Sequence, residues 1–262
     1  MMVRIATGFV LALIAIWASF LLSTLGFTIL VGIVILLASI EWSRLITANK
    51  IGRLLFVLSV FGLSWLSHFV PESCIVIATL FWLLASCSLA LPMSRLTWIK
   101  HPVVLWVVGY LVLVPTWVAA VYLHQLGHLV VFSVIMFVCF ADTGAYFVGA
   151  RCGKHALAPA LSPKKTWEGL AGGLIIGLIA GMAMVVLMPG MTWKEALSWL
   201  VLGIVIILVS MLGDLFESLI KRQCDLKDSG QMLPGHGGIL DRVDSLCAAL
   251  PVYAFFLLLF LH

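Results

Sequence analysis

Residues 218–244 read SLIKRQCDLKDSGQMLPGHGGILDRVD and form the longest charge-dense interval in an otherwise largely apolar chain. Four basic and four acidic residues occur in this interval, together with a glycine pair that follows His236. Carboxylates can hold a divalent cation, basic groups can hold phosphate, and glycines let a ligand approach the backbone. The interval therefore predicts phosphate chemistry that is assisted by a metal ion.

The rest of the chain has the composition of an integral membrane protein. Of its 262 residues, 63% are hydrophobic and 10% are charged, whereas about 25% of the residues in a soluble domain are charged. Apolar runs recur from end to end, so we predict an all-α, polytopic fold with about nine transmembrane helices. The predicted spans cover roughly residues 5–22, 25–40, 54–70, 74–91, 103–123, 129–148, 169–188, 196–220 and 245–261.

The distribution of positive charge predicts how the chain is oriented. If the N-terminus is cytoplasmic, each of the 15 Lys and Arg residues except Lys194 lies in or beside a cytoplasmic segment, as the positive-inside rule requires. This predicts a multi-pass protein of the inner (cytoplasmic) membrane with its active site facing the cytoplasm. Residues 1–128 are predicted to be a scaffold of transmembrane helices, and residues 129–262 to carry the catalytic site on helices and cytoplasmic loops.

Two connections and one helix have distinctive patterns. Residues 41–53 and 149–167 are predicted to be polar loops. Tryptophans near the span ends are interpreted as interface anchors; they are Trp42, Trp98, Trp167 and Trp193.

In the seventh span, glycines repeat every four residues at Gly169, Gly173, Gly177 and Gly181. This small-xxx-small spacing predicts close packing against a neighbouring helix.

Carboxylates in the apolar spans are the first candidates for function. Asp142 lies within the sixth span, where a lone carboxylate is costly and therefore suggests a functional role; the structural alternative is a hydrogen bond to a neighbouring helix. Spacings of three, four and seven residues place Asp214, Glu217, Ser218 and Lys221 on one helical face. Two carboxylates there would suit Mg²⁺, although an internal Glu217–Lys221 ion pair would account for two of the four.

The start of the ninth span offers a second group of candidates. Asp241 and Asp244 precede it, and one of them is predicted to be the N-cap of that helix. A single cap does not account for both carboxylates. Gly237 and Gly238 lie just before the helix N-terminus, where free N–H groups make a plausible anion site.

The basic loop between the sixth and seventh spans could contact phosphate through Lys154, Lys164, Lys165 and Thr166, and it also carries Glu168. The alternative is a solvated loop whose charge only sets the topology. The loop contains no Walker motif, since no glycine lies five residues before Gly153.

Residues 218–244 resemble the signature of the phosphatidate cytidylyltransferase (CDP-diacylglycerol synthase) family. That signature reads S-x-apolar-K-R, four residues, K-D-x-small, then P-x-H-G-G-apolar-x-D-R-apolar-D. The matching residues are Ser218, Lys221, Arg222, Lys227, Asp228, Gly230, Pro234, His236, Gly237, Gly238, Asp241, Arg242 and Asp244. The upstream stretches ADTGAYFVG, SPKKTWEG and LGDLFES are similar to companion motifs of the family, with Thr143 where Ser is often found.

The resemblance implies transfer of CMP from CTP to phosphatidic acid, giving CDP-diacylglycerol and pyrophosphate in phospholipid biosynthesis. It implies catalytic roles for Asp142, Lys165, Asp214, Glu217, Lys221, Arg222, Lys227, Asp228, His236, Asp241, Arg242 and Asp244. It implies substrate-binding roles for Lys154, Ser162, Lys164, Lys165, Thr166, Ser218, Gly237 and Gly238. Mg²⁺ is expected on Asp214 and Asp241, with Asp142, Glu217 and Asp244 close by. The family is also associated with a second cation and with homodimers, neither of which the residues themselves indicate. The expected partners are CTP, phosphatidic acid and membrane lipid, and no nucleic acid.

Two other functions stay open on the sequence alone. A CTP-dependent polyprenol or lipid kinase shares parts of the pattern but would transfer the γ-phosphoryl group instead of CMP. An ion-coupled transporter would also place carboxylates inside the membrane. Against a transporter, the polar residues cluster on one predicted side of the membrane, and no inverted repeat is visible.

Overall fold

The computed structural model describes residues 2–47, 49–187, 190–230, 232 and 237–261. Within these ranges the chain forms nine α-helices, two short 3₁₀ helices and one β-hairpin. The helices are α1 Met2–Leu21, α2 Thr24–Ile46, α3 Lys50–Ser67, α4 Pro71–Ser88, α5 Pro102–Leu126, α6 His128–Cys152, α7 Trp167–Leu187, α8 Trp193–Gln223 and α9 Leu240–Leu261. The strands are β1 Ala156–Ala158 and β2 Ser162–Thr166, and the 3₁₀ helices are Met93–Arg95 and Thr97–Lys100.

The polytopic helical fold is confirmed. Eight helices, α2 to α9, are long and apolar enough to cross a membrane, and α1 contributes a shorter apolar stretch over Ala12–Leu21. Helices α5 and α9 are the most buried of these spans, and α3 is the least buried. The buried side chains of the described residues form one hydrophobic core to which both halves of the chain contribute. The site described below is therefore built around α9, near the centre of the bundle.

The prediction of a polar loop over residues 41–53 is wrong at both ends, since α2 includes residues 41–46 and α3 already begins at Lys50. Helix α2 continues to Ile46 because both Glu41 and Trp42 are buried inside the protein. Trp42 is therefore not an interface anchor: its indole N–H donates to the backbone carbonyl of Leu105 at 2.9 Å. The other three predicted anchors are exposed, as expected; they are Trp98, Trp167 and Trp193.

The second predicted loop, residues 149–167, contains more regular structure than expected. Helix α6 continues to Cys152, and β1 pairs with β2 in an antiparallel hairpin. Glu168 holds the base of this hairpin, since one carboxylate oxygen accepts the N–H groups of Lys154 and His155 at 3.1 and 3.2 Å. Thr166 Oγ1 accepts the Gly169 N–H at 3.0 Å, which is the hydrogen bond of an N-cap residue. The hairpin is thus fixed to the first turn of α7.

The close packing predicted for the glycine-rich helix is confirmed, and the partner of α7 is α6. A Cβ atom added at Gly173 would lie 2.7 Å from the carbonyl oxygen of Ala141, and one at Gly169 would lie 2.9 Å from that of Ala145. Neither position can accept a side chain without a shift of the backbone. The contact positions Asp142, next to Ala141, beside the first turns of α7.

Candidate active site

A cavity of about 370 Å³ lies between α6, α7, α8, α9 and the hairpin. Its polar lining comes from Asp142 and Tyr146 of α6, Lys164, Lys165 and Thr166 of the hairpin, Ser210 and Asp214 of α8, and Asp241, Arg242, Asp244 and Ser245 of α9. The C-terminal halves of α6 and α8 and the N-terminal halves of α7 and α9 meet here. The cavity therefore opens at one end of the bundle. It brings together residues that lie more than 100 positions apart in the sequence.

An ion pair links the hairpin to α8 at this cavity. Lys165 Nζ lies 2.6 Å from a carboxylate oxygen of Asp214, and both side chains are partly exposed. Lys164, also on the cavity lining, is more exposed than Lys165. The two lysines that could not be distinguished by sequence thus differ in structure. Lys165 is paired with the predicted metal ligand, whereas Lys164 extends towards solvent.

Behind the cavity, Lys221 lies between two carboxylates. Its ammonium nitrogen is 2.6 Å from Asp241 Oδ1 and 2.9 Å from Glu217 Oε1, and all three side chains are nearly inaccessible to solvent. The ion pair between Glu217 and Lys221, which their four-residue spacing allows, is therefore present. Both Glu217 oxygens lack hydrogen-bond geometry towards any described residue. Buried charges need compensation, and the two carboxylates share the one positive charge of Lys221.

Asp241 also organises the connection that precedes α9. Its Oδ2 atom accepts the N–H groups of Gly238 at 2.8 Å and Ser229 at 3.1 Å, and Oδ1 lies 3.2 Å from the same Ser229 nitrogen. The prediction that Asp241 or Asp244 is the N-cap of α9 is wrong, because the helix begins at Leu240 and already includes both residues. Asp244 lines the main cavity and also a small space behind it that Glu217 borders.

The other predicted residues are not part of the cavity lining or lie outside the described residues. Besides Glu217 and Lys221, the predicted side chains outside the cavity lining are those of Lys154, Ser162, Ser218, Arg222, Lys227 and Asp228. Gly237 has a positive φ of 83°, a conformation that favours glycine. The predicted anion site at Gly237 and Gly238 has one N–H already engaged, since Gly238 donates to Asp241. His236 lies outside the described residues.

The sequence analysis assigned no site role to Glu41, nor to three polar residues of the cavity lining, Tyr146, Ser210 and Ser245. Glu41 of α2 is fully buried, and its Oε2 atom accepts hydrogen bonds from Ser229 Oγ at 3.1 Å and from the Leu240 N–H at 2.9 Å. A signal was available, since Glu41 follows a long apolar run just as Asp142 does, and acidic residues within membrane helices suggest function. Because residues 41–53 were predicted to be a loop, Glu41 was not counted as a carboxylate within a membrane helix.

The aspartates of the cavity fit a hard divalent cation. Four carboxylates, those of Asp142, Asp214, Asp241 and Asp244, contribute to one lining, and Mg²⁺ prefers such oxygen donors. Among the described residues, no three His, Cys, Asp or Glu side chains are grouped closely enough to hold a metal by themselves. Mg²⁺ commonly uses one or two carboxylates together with water and substrate phosphates. A pair of these aspartates beside bound phosphate satisfies that requirement.

The fold and the site define a class: a polytopic helical membrane protein with an acidic and basic cavity, suited to phosphate chemistry, at one end of its bundle. The model of the cytidylyltransferase family matches residues 2–260, which is nearly the whole chain. This chain belongs to the cytidylyltransferase family and is therefore a nucleotidyltransferase.

Individual relatives agree with this assignment. The chain is 39% identical to a phosphatidate cytidylyltransferase of Pseudomonas aeruginosa, over 96% of this chain and 94% of that protein. It is 32% identical to a phosphatidate cytidylyltransferase of Haemophilus influenzae, over 97% of each protein. A protein of the same name from Bacillus subtilis is 42% identical over 138 residues, or 53% of this chain and 51% of the relative. The resemblance seen in residues 218–244 is confirmed over the full length of the chain.

Proposed function

We propose that this protein transfers CMP from CTP to phosphatidic acid, producing CDP-diacylglycerol and pyrophosphate. The observation that carries the proposal is the shared cavity, in which two hairpin lysines and Arg242 lie with the aspartates of three helices. Basic groups for several phosphates and carboxylates for a divalent cation are both present. The names of the full-length relatives support this choice of substrates.

The reaction needs little acid–base chemistry from the protein. A phosphate oxygen of phosphatidic acid attacks the α-phosphorus of CTP, a new P–O bond forms, and the bond from the α-phosphorus to the bridging oxygen of the β-phosphate breaks. The attacking group is largely ionised near neutral pH, because the second pKa of a phosphomonoester is about 6. Positioning of the two substrates and neutralisation of their charge therefore account for most of the catalysis.

The residues around the cavity divide these tasks. Lys164, Lys165 and Arg242 bind phosphate oxygens and stabilise the departing pyrophosphate. Asp214 and Asp241, with Asp142 and Asp244 close by, would hold Mg²⁺. When bound, the ion neutralises phosphate charge and polarises the reacting phosphorus. Lys165 exchanges its pairing with Asp214 for one with substrate phosphate.

The location of the cavity suits a reaction between a soluble nucleotide and a lipid. We place this end of the bundle on the cytoplasmic side of the inner membrane, because the helix ends that surround the cavity carry basic residues and Lys194 lies at the opposite end of α8. The polar part of the cavity then meets CTP, and the deeper part, which includes Ile207 and Gly173, lies at the depth of the lipid.

A labelling experiment tests the function. Purified protein in detergent would receive phosphatidic acid, Mg²⁺ and CTP labelled at either the α- or the γ-phosphorus. We expect label from the α-phosphorus to enter lipid and label from the γ-phosphorus to leave as pyrophosphate. Transfer of the γ-label to lipid would instead identify a lipid kinase, and an absence of labelled lipid in both reactions would reject the proposal.

A further inference from the structure

Helix α9 has no N-cap side chain in the residue that precedes it. Its first helical residue is Leu240, and the residue before it, Ile239, has no side-chain oxygen. The first N–H groups of a helix have no partner within the helix and need one from elsewhere when they are buried. Leu240 is buried. Its N–H donates at 2.9 Å to Glu41 Oε2, which lies 199 residues away in the sequence.

The same carboxylate oxygen holds the connection before α9. Ser229 Oγ, which is also buried, donates to Glu41 Oε2 at 3.1 Å, while the Ser229 N–H donates to Asp241. Ser229 therefore bridges Glu41 and Asp241. Added Cβ atoms at Gly230 and Gly238 would both collide with the Glu41 side chain, so the backbone of this segment lies directly against it.

Helix α2 is itself fixed in register next to this contact. The Trp42 indole donates to the Leu105 carbonyl of α5, and a Cβ atom added at Gly109 of α5 would lie 2.9 Å from Cδ1 of the same indole ring. A buried carboxylate on a firmly packed helix is a precise support, because its own position is determined by packing.

We infer that Glu41 is a positioning residue for the proposed reaction: it caps α9 from α2 and, through Ser229, sets the position of Asp241 in the cavity. The inference rests on the proposed function for its effect on turnover. Glu41 is outside the cavity lining, so it acts through Ser229 and Leu240 and not on substrate.

The structure also specifies what chemical group is needed. Both hydrogen bonds are accepted by Oε2, and Oε1 is buried with no hydrogen-bond partner among the described residues. An amide whose carbonyl oxygen takes the position of Oε2 can accept the same two bonds. The role therefore requires an acceptor at this point and does not require negative charge.

Glu41→Gln and Glu41→Ala test this requirement, with Ser43→Ala as the matched control. Ser43 is a buried residue two positions after Glu41 in α2, and among the described residues its hydroxyl donates only to the Ile40 carbonyl of the same helix, at 2.7 Å. We expect Glu41→Ala to lower kcat per folded molecule about 10- to 100-fold, the scale for small misplacement of a reacting group. Glu41→Gln and Ser43→Ala should stay within about threefold of the unmodified protein, since the acceptor is retained.

Hydrogen exchange provides a second measurement that does not depend on activity. In Glu41→Ala, the Leu240 amide should exchange at least about tenfold faster, because it loses a charge-assisted hydrogen bond. Exchange in Glu41→Gln and Ser43→Ala should be unchanged. If the unmodified protein makes no CDP-diacylglycerol, the proposed function fails, and this comparison still decides whether Glu41 caps α9.

Two outcomes would overturn the inference. Unaltered Leu240 exchange in Glu41→Ala would show that the carboxylate does not hold the helix start. Turnover as low in Glu41→Gln as in Glu41→Ala, with both proteins folded, would show that the charge itself is needed.

Discussion

At the scale of single residues, the site is defined by how its charges are paired. Lys165 pairs with Asp214 on the cavity lining, and Lys221, behind the cavity, pairs with both Asp241 of the lining and the buried Glu217. The first pair is partly exposed, so under the proposed function its two members can exchange each other for substrate phosphate and a cation. The second is nearly inaccessible to solvent, so breaking it leaves a buried charge uncompensated. Equivalent substitutions in the two pairs should therefore have different consequences.

Asp214→Asn and Asp241→Asn provide the first comparison. Both should lower turnover at least about 100-fold, the scale for losing a main electrostatic stabiliser. Only Asp241→Asn should also lower the free energy of unfolding, by roughly 1.5–3 kcal/mol, since its charge supports Lys221 and two backbone N–H groups. Turnover and thermal unfolding in detergent measure the two effects.

Asp225→Asn is the control, because Asp225 is exposed outside the cavity and Asn tolerates its positive φ of 57°. Near-normal activity of Asp214→Asn would remove it from the proposed ligand set.

The hairpin lysines provide the second comparison. Lys164→Gln and Lys165→Gln should each reduce kcat/KM about 10- to 100-fold, since each loses a charge-assisted phosphate contact of about 1.5–3 kcal/mol. Arg at either position should restore activity only in part, because a planar guanidinium differs from a compact ammonium. Lys100→Gln, in the second 3₁₀ helix and outside the cavity, is the control. Unchanged kcat/KM for both substrates in the two Gln variants would limit these lysines to a topological role.

At the scale of elements, the contact between α6 and α7 determines where Asp142 and the hairpin lie. The two helices approach so closely that glycines of α7 face backbone carbonyls of α6. The hairpin that joins them is held at both ends, by Glu168 at its base and by Thr166 at the start of α7. A shift of α7 would therefore move Asp142, Lys164 and Lys165 together.

Gly173→Ala tests this helix contact, with Gly62→Ala as its matched control. A methyl group added at Gly173 would lie 2.7 Å from the Ala141 carbonyl oxygen. A methyl group added at Gly62 of α3 would have no heavy atom of the described residues within 4 Å. We expect Gly173→Ala to destabilise the protein by about 1–3 kcal/mol through overpacking and to lower activity. Gly62→Ala should be neutral or slightly stabilising. Equal unfolding temperatures for the two variants would contradict the close contact.

At the scale of the whole molecule, the basic residues are concentrated at one end of the bundle. Basic residues lie at the helix ends around the cavity, and Lys194 lies at the other end of α8. The proposed orientation places the charged end in the cytoplasm, and the odd number of predicted spans places the two termini on opposite sides of the membrane.

Cysteine labelling tests this orientation. In a protein whose six cysteines are replaced by Ser, Leu226→Cys should react with an impermeant reagent only from the cytoplasmic side, and Lys194→Cys only from the opposite side. Both positions are exposed. A reporter fused after His262 should be non-cytoplasmic. A cytoplasmic reporter together with the expected cysteine pattern would show that the span count is wrong by one.

The sequence alone was sufficient for the properties that depend on local pattern. Hydrophobic runs of membrane length predicted the helices, the four-residue glycine repeat predicted the close contact of α7, and residues 218–244 identified the family. Each of these signals is carried by neighbours in the chain, and the bilayer requires the backbone of every span to satisfy its hydrogen bonds as a helix. The candidate site was predictable in part, since Asp142, Lys165, Asp214 and Asp241 were all recognised.

Only the tertiary structure determined which of these residues meet and which of them support the others. It paired Lys165 with Asp214, placed Lys221 behind the cavity, and showed that Asp241 holds the connection before α9. It also brought Glu41 to the start of α9, although the sequence placed it in a loop. Apolar helices carry little information about their neighbours, because all of them are equally compatible with lipid. Partners across 199 residues are chosen by packing and by the need to satisfy buried polar groups, and both of these exist only in the folded chain.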